Sequence, residues 1–267
     1  MPSLKIPPGQ EGRIKEFLAE RFRERKIPNS LWSFEGKDAF FTLYPSGILL
    51  VQGKEADAWA EEVLNLIEVP EGPVAGCDEA GKGEVFGPLI LCCAVVKPEN
   101  YREVLKVAPR DSKKLEDDKV LKKASDLKNL VTYRFVNITP ERFNQIYPKV
   151  SNINRIPDAG YRKLLSWAVR EGPVRITVDA YAGKNPFQDV ERVRFVKKGE
   201  REVEVAVASL LARAKFLVEI RRLEPLYGGK IPKGSSGEAI HRAKELIRRD
   251  PERARKLVKI FCTQYNP

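Results

Sequence analysis

The sequence predicts an α/β protein with a small N-terminal α+β part and a larger α/β part. Three observations carry that expectation. Short apolar runs of strand length, Val74-Ala-Gly-Cys77, Leu89 to Val96 and Arg175 to Ala180, alternate with stretches of helical spacing. The longest such stretch repeats Val203, Ala206, Val207, Leu210, Ala214, Leu217 and Val218 from about 203 to 223. Between the two parts, Val69-Pro-Glu-Gly-Pro73 is a compact cluster of breakers and the best boundary in the chain. The expected organisation is a first domain over 1–68, a linker over 69–73 and a second domain over 74–267.

Taken in order, residues 10–26 place Ile14, Phe17, Leu18 and Phe22 at helical spacing among charges and predict one helix. A strand is expected around Leu31–Phe34. Phe40 to Tyr44 and Ile48 to Gln52 read as two strands around the turn Pro45-Ser-Gly47. Lys54 to Ile67 is an amphipathic helix. Past the linker, the strands at 74–77 and 89–96 flank a glycine-rich turn, and others are expected at 131–139, 175–180 and 193–196. After the long helix come two more, around 237–249 and 251–260, rich in Arg and Lys.

The chain has 267 residues, with 48 basic against 37 acidic side chains and a net charge of +11, which favours a polyanionic partner. No apolar run is long enough to span a bilayer, and the first residues lack the apolar core of a secretion signal, so the expectation is a soluble, cytoplasmic protein. The four cysteines form no CxxC pattern and are expected to be buried free thiols. A single histidine, His241, excludes catalysis by a histidine pair, and the absence of a full Walker pattern disfavours a nucleotide triphosphatase.

The most informative stretch is Cys77-Asp-Glu-Ala-Gly-Lys-Gly-Glu-Val-Phe-Gly-Pro88. Two carboxylates end an apolar strand and run into a glycine turn. Neighbouring side chains on a strand point to opposite faces, so Asp78 and Glu79 are expected to share a site through a break in the strand at Ala80–Gly83. Taken alone, the pair is ordinary turn polarity. Asp179 closes the run Val174-Arg-Ile-Thr-Val178, and Glu200 precedes the long helix in a segment crowded by Glu202 and Glu204. Carboxylates gathered this way suit magnesium, which takes oxygen ligands, keeps water and leaves room for phosphate oxygens. A pair of such ions serves phosphodiester hydrolysis without a nucleophilic side chain. Asp111-Ser-Lys113 has the form of a helix N-cap.

Together these residues resemble the type 2 ribonuclease H family, and within it the ribonuclease HIII branch. The signature Asp-Glu-x-Gly-x-Gly stands here as Asp78-Glu-Ala-Gly-Lys-Gly83, followed by Phe86-Gly-Pro88, Asp111-Ser-Lys113, Asp179 at a strand end and Ala208-Ser-Leu-Leu-Ala-Arg213. The set covers nearly all of residues 70–267. It implies a ribonuclease H-like mixed sheet flanked by helices, with residues 1–68 as a domain resembling the TATA-binding protein. It further implies hydrolysis of the RNA strand of RNA/DNA hybrids to 5′-phosphate and 3′-hydroxyl ends, with two Mg²⁺ ions (Mn²⁺ as the alternative). Asp78, Glu79, Asp179 and Glu200 would hold the metals. Gly81, Lys82, Gly83, Ser112, Lys113 and Lys233 would contact substrate. Glu200 lies one residue nearer to Ala208-Ser209 than the family spacing, which keeps Glu202 as the alternative fourth ligand. Lys82 between the glycines resembles the ribonuclease HII branch and leaves cleavage at single embedded ribonucleotides open.

Contacts to sugar and phosphate carry no base sequence, so little sequence preference is expected. The N-terminal domain is expected to clamp the hybrid, with its deletion weakening binding far more than it alters the metal site. The expected state is a monomer. The rival reading is a non-catalytic nucleic-acid-binding protein on the same fold.

Overall fold

Residues 2–66 fold around an antiparallel sheet in the order β1-β5-β4-β3-β2, formed by β1 (Ser3–Lys5), β2 (Arg23–Arg25), β3 (Trp32–Glu35), β4 (Phe40–Leu43) and β5 (Ile48–Gln52). Helices α1 (Glu11–Ala19) and α2 (Ala56–Leu66) pack on it through Ile14, Leu18, Val63 and Leu64. In this computed structural model, residues 2–107, 115–150 and 152–263 are described. The single helix expected over 10–26 is corrected here: it stops at Ala19, and Arg23–Arg25 pairs as a strand with β3. Phe22 is drawn off the helical path to pack edge-on against Phe41 and Trp59 at 4.8 and 4.9 Å between ring centres. Arg25 then lies over the Phe40 ring and 3.7 Å from Glu35, so cross-strand partners replace helical ones.

The second sheet is mixed, in the order β10-β9-β6-β7-β8, with β6 (Val74–Ala80), β7 (Leu89–Val96), β8 (Val131–Ile138), β9 (Arg175–Asp179) and β10 (Val193–Val196). β6 runs parallel to β9 and antiparallel to β7. Every residue of β7 is buried, because both faces of the sheet are covered, and its sequence is correspondingly apolar throughout. One face carries α7 (Val203–Tyr227), which packs across β6 and β7; on the other, α6 (Ile156–Arg170) lies against β7 and β8, with α5 (Pro140–Val150) beside it. Gly76 makes the α7 contact possible: a Cβ there would stand 2.1 Å from the Glu204 carbonyl carbon. Helices α3 (Tyr101–Val107) and α4 (Asp117–Lys128) follow β7, and α8 (Gly237–Arg249) and α9 (Pro251–Leu257) follow α7. The last helix is shorter than expected because Val258 leaves it to bridge to Phe86, and the Lys259 amide donates to the Val85 carbonyl.

The two sheets are not insulated from one another. One continuous apolar cluster joins Leu4, Ile6 and Ile14 to Val74, Val104, Leu105 and Val203, with α3 packed on β1. Among the described residues no helix is long and apolar enough to cross a membrane. The expectation of four free thiols holds for Cys92 and Cys262, which are buried. Cys77 and Cys93 instead form a disulfide, because the β6–β7 register sets them directly opposite each other. Sixteen residues of separation hide that adjacency in the sequence.

Candidate active site

β6 does not break at the acidic pair. Its pairing with β7 continues through Asp78 opposite Cys92, Glu79 opposite Leu91 and Ala80 opposite Ile90. This corrects the expected interruption: the two carboxylates keep the alternation of a regular strand and point to opposite faces. Asp78 turns to α7, where the Ser209 side chain hydrogen-bonds its carboxylate. Glu79 turns to α6, where the Tyr161 hydroxyl donates to Oε2 at 2.6 Å. They serve one cleft because β9 pairs with β6 only as far as Cys77 opposite Val178. Beyond that point the β6 edge is open, and Asp179, the last residue of β9, stands at the gap.

Electrostatics mark the spot. The Asp78 carboxyl is pushed well above the usual carboxylate range, first by burial and then by the charges of Glu79 and Asp179; the Ser209 bond and the Glu79 amide, 2.7 Å from Oδ1, oppose this without cancelling it. Burial and the neighbouring Glu79 and Asp78 likewise raise Tyr161, which stays a protonated donor. Such mutual repulsion is what a divalent cation relieves.

The cleft, about 840 Å³, is lined by Asp78, Glu79, Gly81, Lys82, Gly83 and Asp179, with Glu84, Tyr181, Arg213 and Lys233 around them. Gly81 has φ of +88°, and a Cβ on it would meet the Pro88 carbonyl oxygen at 2.2 Å, so only glycine fits this turn. Gly83 faces open space, where a polymer backbone can approach. Lys82 leans inward: its ammonium donates to the Tyr181 carbonyl at 2.8 Å and lies 4.0 Å from Glu79 Oε1. Lys233 pairs with Asp117, and Arg213 holds Glu84 at 3.1 Å, which anchors the far wall.

Glu200 is not among the residues lining this cleft. It sits in the tight turn Gly199–Arg201, whose Gly199 amide donates to Asp179 Oδ1 at 2.7 Å, so it is next to the site by way of Asp179. Glu202 is held by Arg194 at 2.7 Å and is also absent from the cleft lining. Glu204 is fully buried and bonded to Arg175 and Thr177, a structural pairing. Ser112 and Lys113 lie outside the described residues. Sequence reasoning passed over Tyr161, Tyr181 and Glu84 as site groups, and Ser209 and Arg213 entered it only as letters of a motif. Nothing local in the sequence signals Tyr161, since its partner is 82 residues away.

Asp78, Glu79 and Asp179 offer oxygen donors only, which fits a magnesium-type ion. Among the described residues no group of three or more His, Cys, Asp or Glu side chains stands close enough together to hold a metal ion by itself. Ions of this kind share their ligands with water and a phosphate, so the protein need not supply the whole shell.

A mixed sheet that brings carboxylates from two parallel strand ends to a glycine-lined, cation-rimmed cleft defines a ribonuclease H-like nuclease. The chain belongs to the ribonuclease HII family, which matches residues 75–264. It is 42% identical to ribonuclease HIII of Aquifex aeolicus over 96% of this chain and 98% of that one. The crystal structure of Aquifex aeolicus RNase H3 superposes with a TM-score of 0.65 at 39% identity, covering 98% of this chain and all of that one. The fold is also that of Bst-RNase HIII crystallised with Mn²⁺, at a TM-score of 0.67 and 21% identity, covering 97% and 95% of the two chains.

Proposed function

We propose that this metal-dependent endoribonuclease, which cuts the RNA strand of RNA/DNA hybrids, works by two-metal-ion hydrolysis centred on Asp78, Glu79 and Asp179. The observation that carries the reading is the meeting of the β6 and β9 ends, where burial and the charges of Glu79 and Asp179 raise the proton affinity of Asp78 at the mouth of an open cleft. These carboxylates, completed by Glu200 from the adjoining turn, would hold the ions, Mg²⁺ or Mn²⁺. When bound, the ions supply an activated water and neutralise charge on the leaving 3′-oxygen. The chain's own groups do the rest. Tyr161 orients Glu79 by donating to it, and Ser209 orients Asp78. Gly81 and Gly83 let the sugar–phosphate chain approach, while Lys82 and Lys233 face the polyanion. RNA is distinguished from DNA by its 2′-hydroxyl, and Ser112 and Lys113 are assigned to the same substrate strand.

Residues 1–68 form the hybrid-binding domain in this reading, joined through 69–73 to the catalytic domain over 74–267. The enzyme acts as a cytoplasmic monomer. Labelled RNA/DNA hybrid, DNA duplex and RNA duplex, each with Mg²⁺ and with chelator, test it. Cleavage of the hybrid alone, with metal, leaving 5′-phosphate ends, is the expected result. Hybrid cleavage that persists in chelator or in Asp78→Asn overturns it.

A further inference from the structure

Lys5 is fully buried, an uncommon place for an ammonium group, and it lies in the N-terminal sheet. Its Nζ donates to two backbone carbonyls: Ser46 in its own domain at 2.8 Å, and Glu200 in the catalytic domain at 3.1 Å. Burial, and then the nearby Arg201 charge, lower its pKa to about 8. The Glu200 carbonyl belongs to the turn that holds Asp179. Lys198 enters that turn with φ of +57°, and Gly199 then presents its amide to Asp179 Oδ1 at 2.7 Å. The approach is close enough that a Cβ at 199 would stand 3.0 Å from the same oxygen. A second tie grips the turn from the same domain, as Glu11 of α1 pairs with Arg201 at 3.0 Å. The turn is thus held between the Asp179 carboxylate on one side and two N-terminal side chains on the other.

We propose that Lys5 is a positioning residue for Asp179, acting through the 198–202 turn, so that the N-terminal domain is part of the metal-site scaffold as well as a substrate clamp. The proposal rests on Asp179 holding metal. Without Lys5 the Glu200 carbonyl loses its buried donor, the turn relaxes, and the Gly199 amide no longer fixes the Asp179 oxygen. This departs from the expectation that losing residues 1–68 weakens hybrid binding far more than it alters the metal site.

The test is Mn²⁺ binding to the full chain without substrate, followed by titration of free Mn²⁺, alongside hybrid KM and thermal stability. Lys5→Met is expected to weaken Mn²⁺ binding roughly 3- to 10-fold, the scale of one charge-assisted hydrogen bond passed on in part, with hybrid KM little changed. Glu11→Gln, at a partly exposed ion pair, should weaken it about 2-fold, the scale of a surface pair. Glu61→Gln is the control. It removes the Glu61–Lys106 pair, a contact from α2 of the N-terminal domain to α3 that does not touch the turn, and should leave Mn²⁺ affinity unchanged. Unaltered Mn²⁺ affinity in folded Lys5→Met overturns the proposal, as does an equal loss in Glu61→Gln. If Lys5→Met fails to fold, unaltered affinity in Glu11→Gln overturns it. Asp179→Asn separates the two readings: Mn²⁺ binding that survives this change refutes the metal role of Asp179 itself.

Discussion

The Tyr161 hydroxyl reaches Glu79 Oε2 at 2.6 Å from the face of the sheet opposite Asp78. Tyr161 is itself fixed, stacked on Tyr181 at 5.2 Å between ring centres, and the Tyr181 hydroxyl donates to Asp158 at 2.6 Å. One carboxylate of the site is therefore oriented from α6 and the other from α7.

Tyr161→Phe removes that donor and little volume. A hydrogen bond to a charged group contributes about 1.5–3 kcal/mol, so kcat is expected to fall roughly 10- to 100-fold. Steady-state kinetics on a hybrid substrate check this; an unchanged kcat removes Tyr161 from the orienting role.

Asp78→Asn should abolish cleavage yet stabilise the metal-free protein. The sign follows from the raised pKa. In the folded state Asp78 holds its proton more tightly than in the unfolded chain, so its ionisation costs stability as pH rises from the unfolded pKa towards the folded one. At neutral pH the neutral amide avoids that cost. Melting in chelator should show a higher Tm for the variant, and saturating Mg²⁺ should erase the difference by stabilising only the wild type.

Two buried ammonium groups set a slope at alkaline pH. Lys5 and Lys259, the latter bonded to the Gly87 carbonyl at 2.6 Å, both have pKa values lowered to about 8, mainly by burial. Between about 8 and the unfolded value of 10.5 the unfolded chain binds more protons, so each group adds a rise of up to about 1.4 kcal/mol per pH unit to stability. Denaturant unfolding from pH 7.5 to 10 should show the rise, and Lys259→Met should remove its share.

Hybrid affinity should fall steeply with salt, because phosphate neutralisation releases counterions. Lys82→Met is expected to make the logarithmic slope shallower by about one. Fluorescence anisotropy at several salt concentrations reads it directly, and an identical slope places Lys82 off the phosphate path, in service of Glu79 alone.

The strands of the catalytic sheet were legible because burial on both faces writes itself as an apolar run, as in Leu89 to Val96. The acidic strand ends Asp78 and Asp179 were legible for a related reason: a carboxylate directly after a buried strand is costly to desolvate, so it stands out against the apolar run before it. What stayed hidden depends on register and on partners distant in sequence. Whether β6 broke at Asp78 hung on its pairing with β7, and the Cys77–Cys93 contact hung on the same register. The strand Arg23–Arg25 was masked by a charge pattern that suits a helix surface equally well. Lys5 gives no local sign of burial, because its acceptors are main-chain oxygens of Ser46 and Glu200.

The apolar seam from Leu4 and Ile6 to Val104 and Leu105 makes the N-terminal region a poor candidate for a detachable cassette. Cutting the chain after α2 would strip the cover from α3 and leave a greasy, sticky wound on the nuclease half. A shortened enzyme that stays dispersed therefore needs new polar residues on that helix.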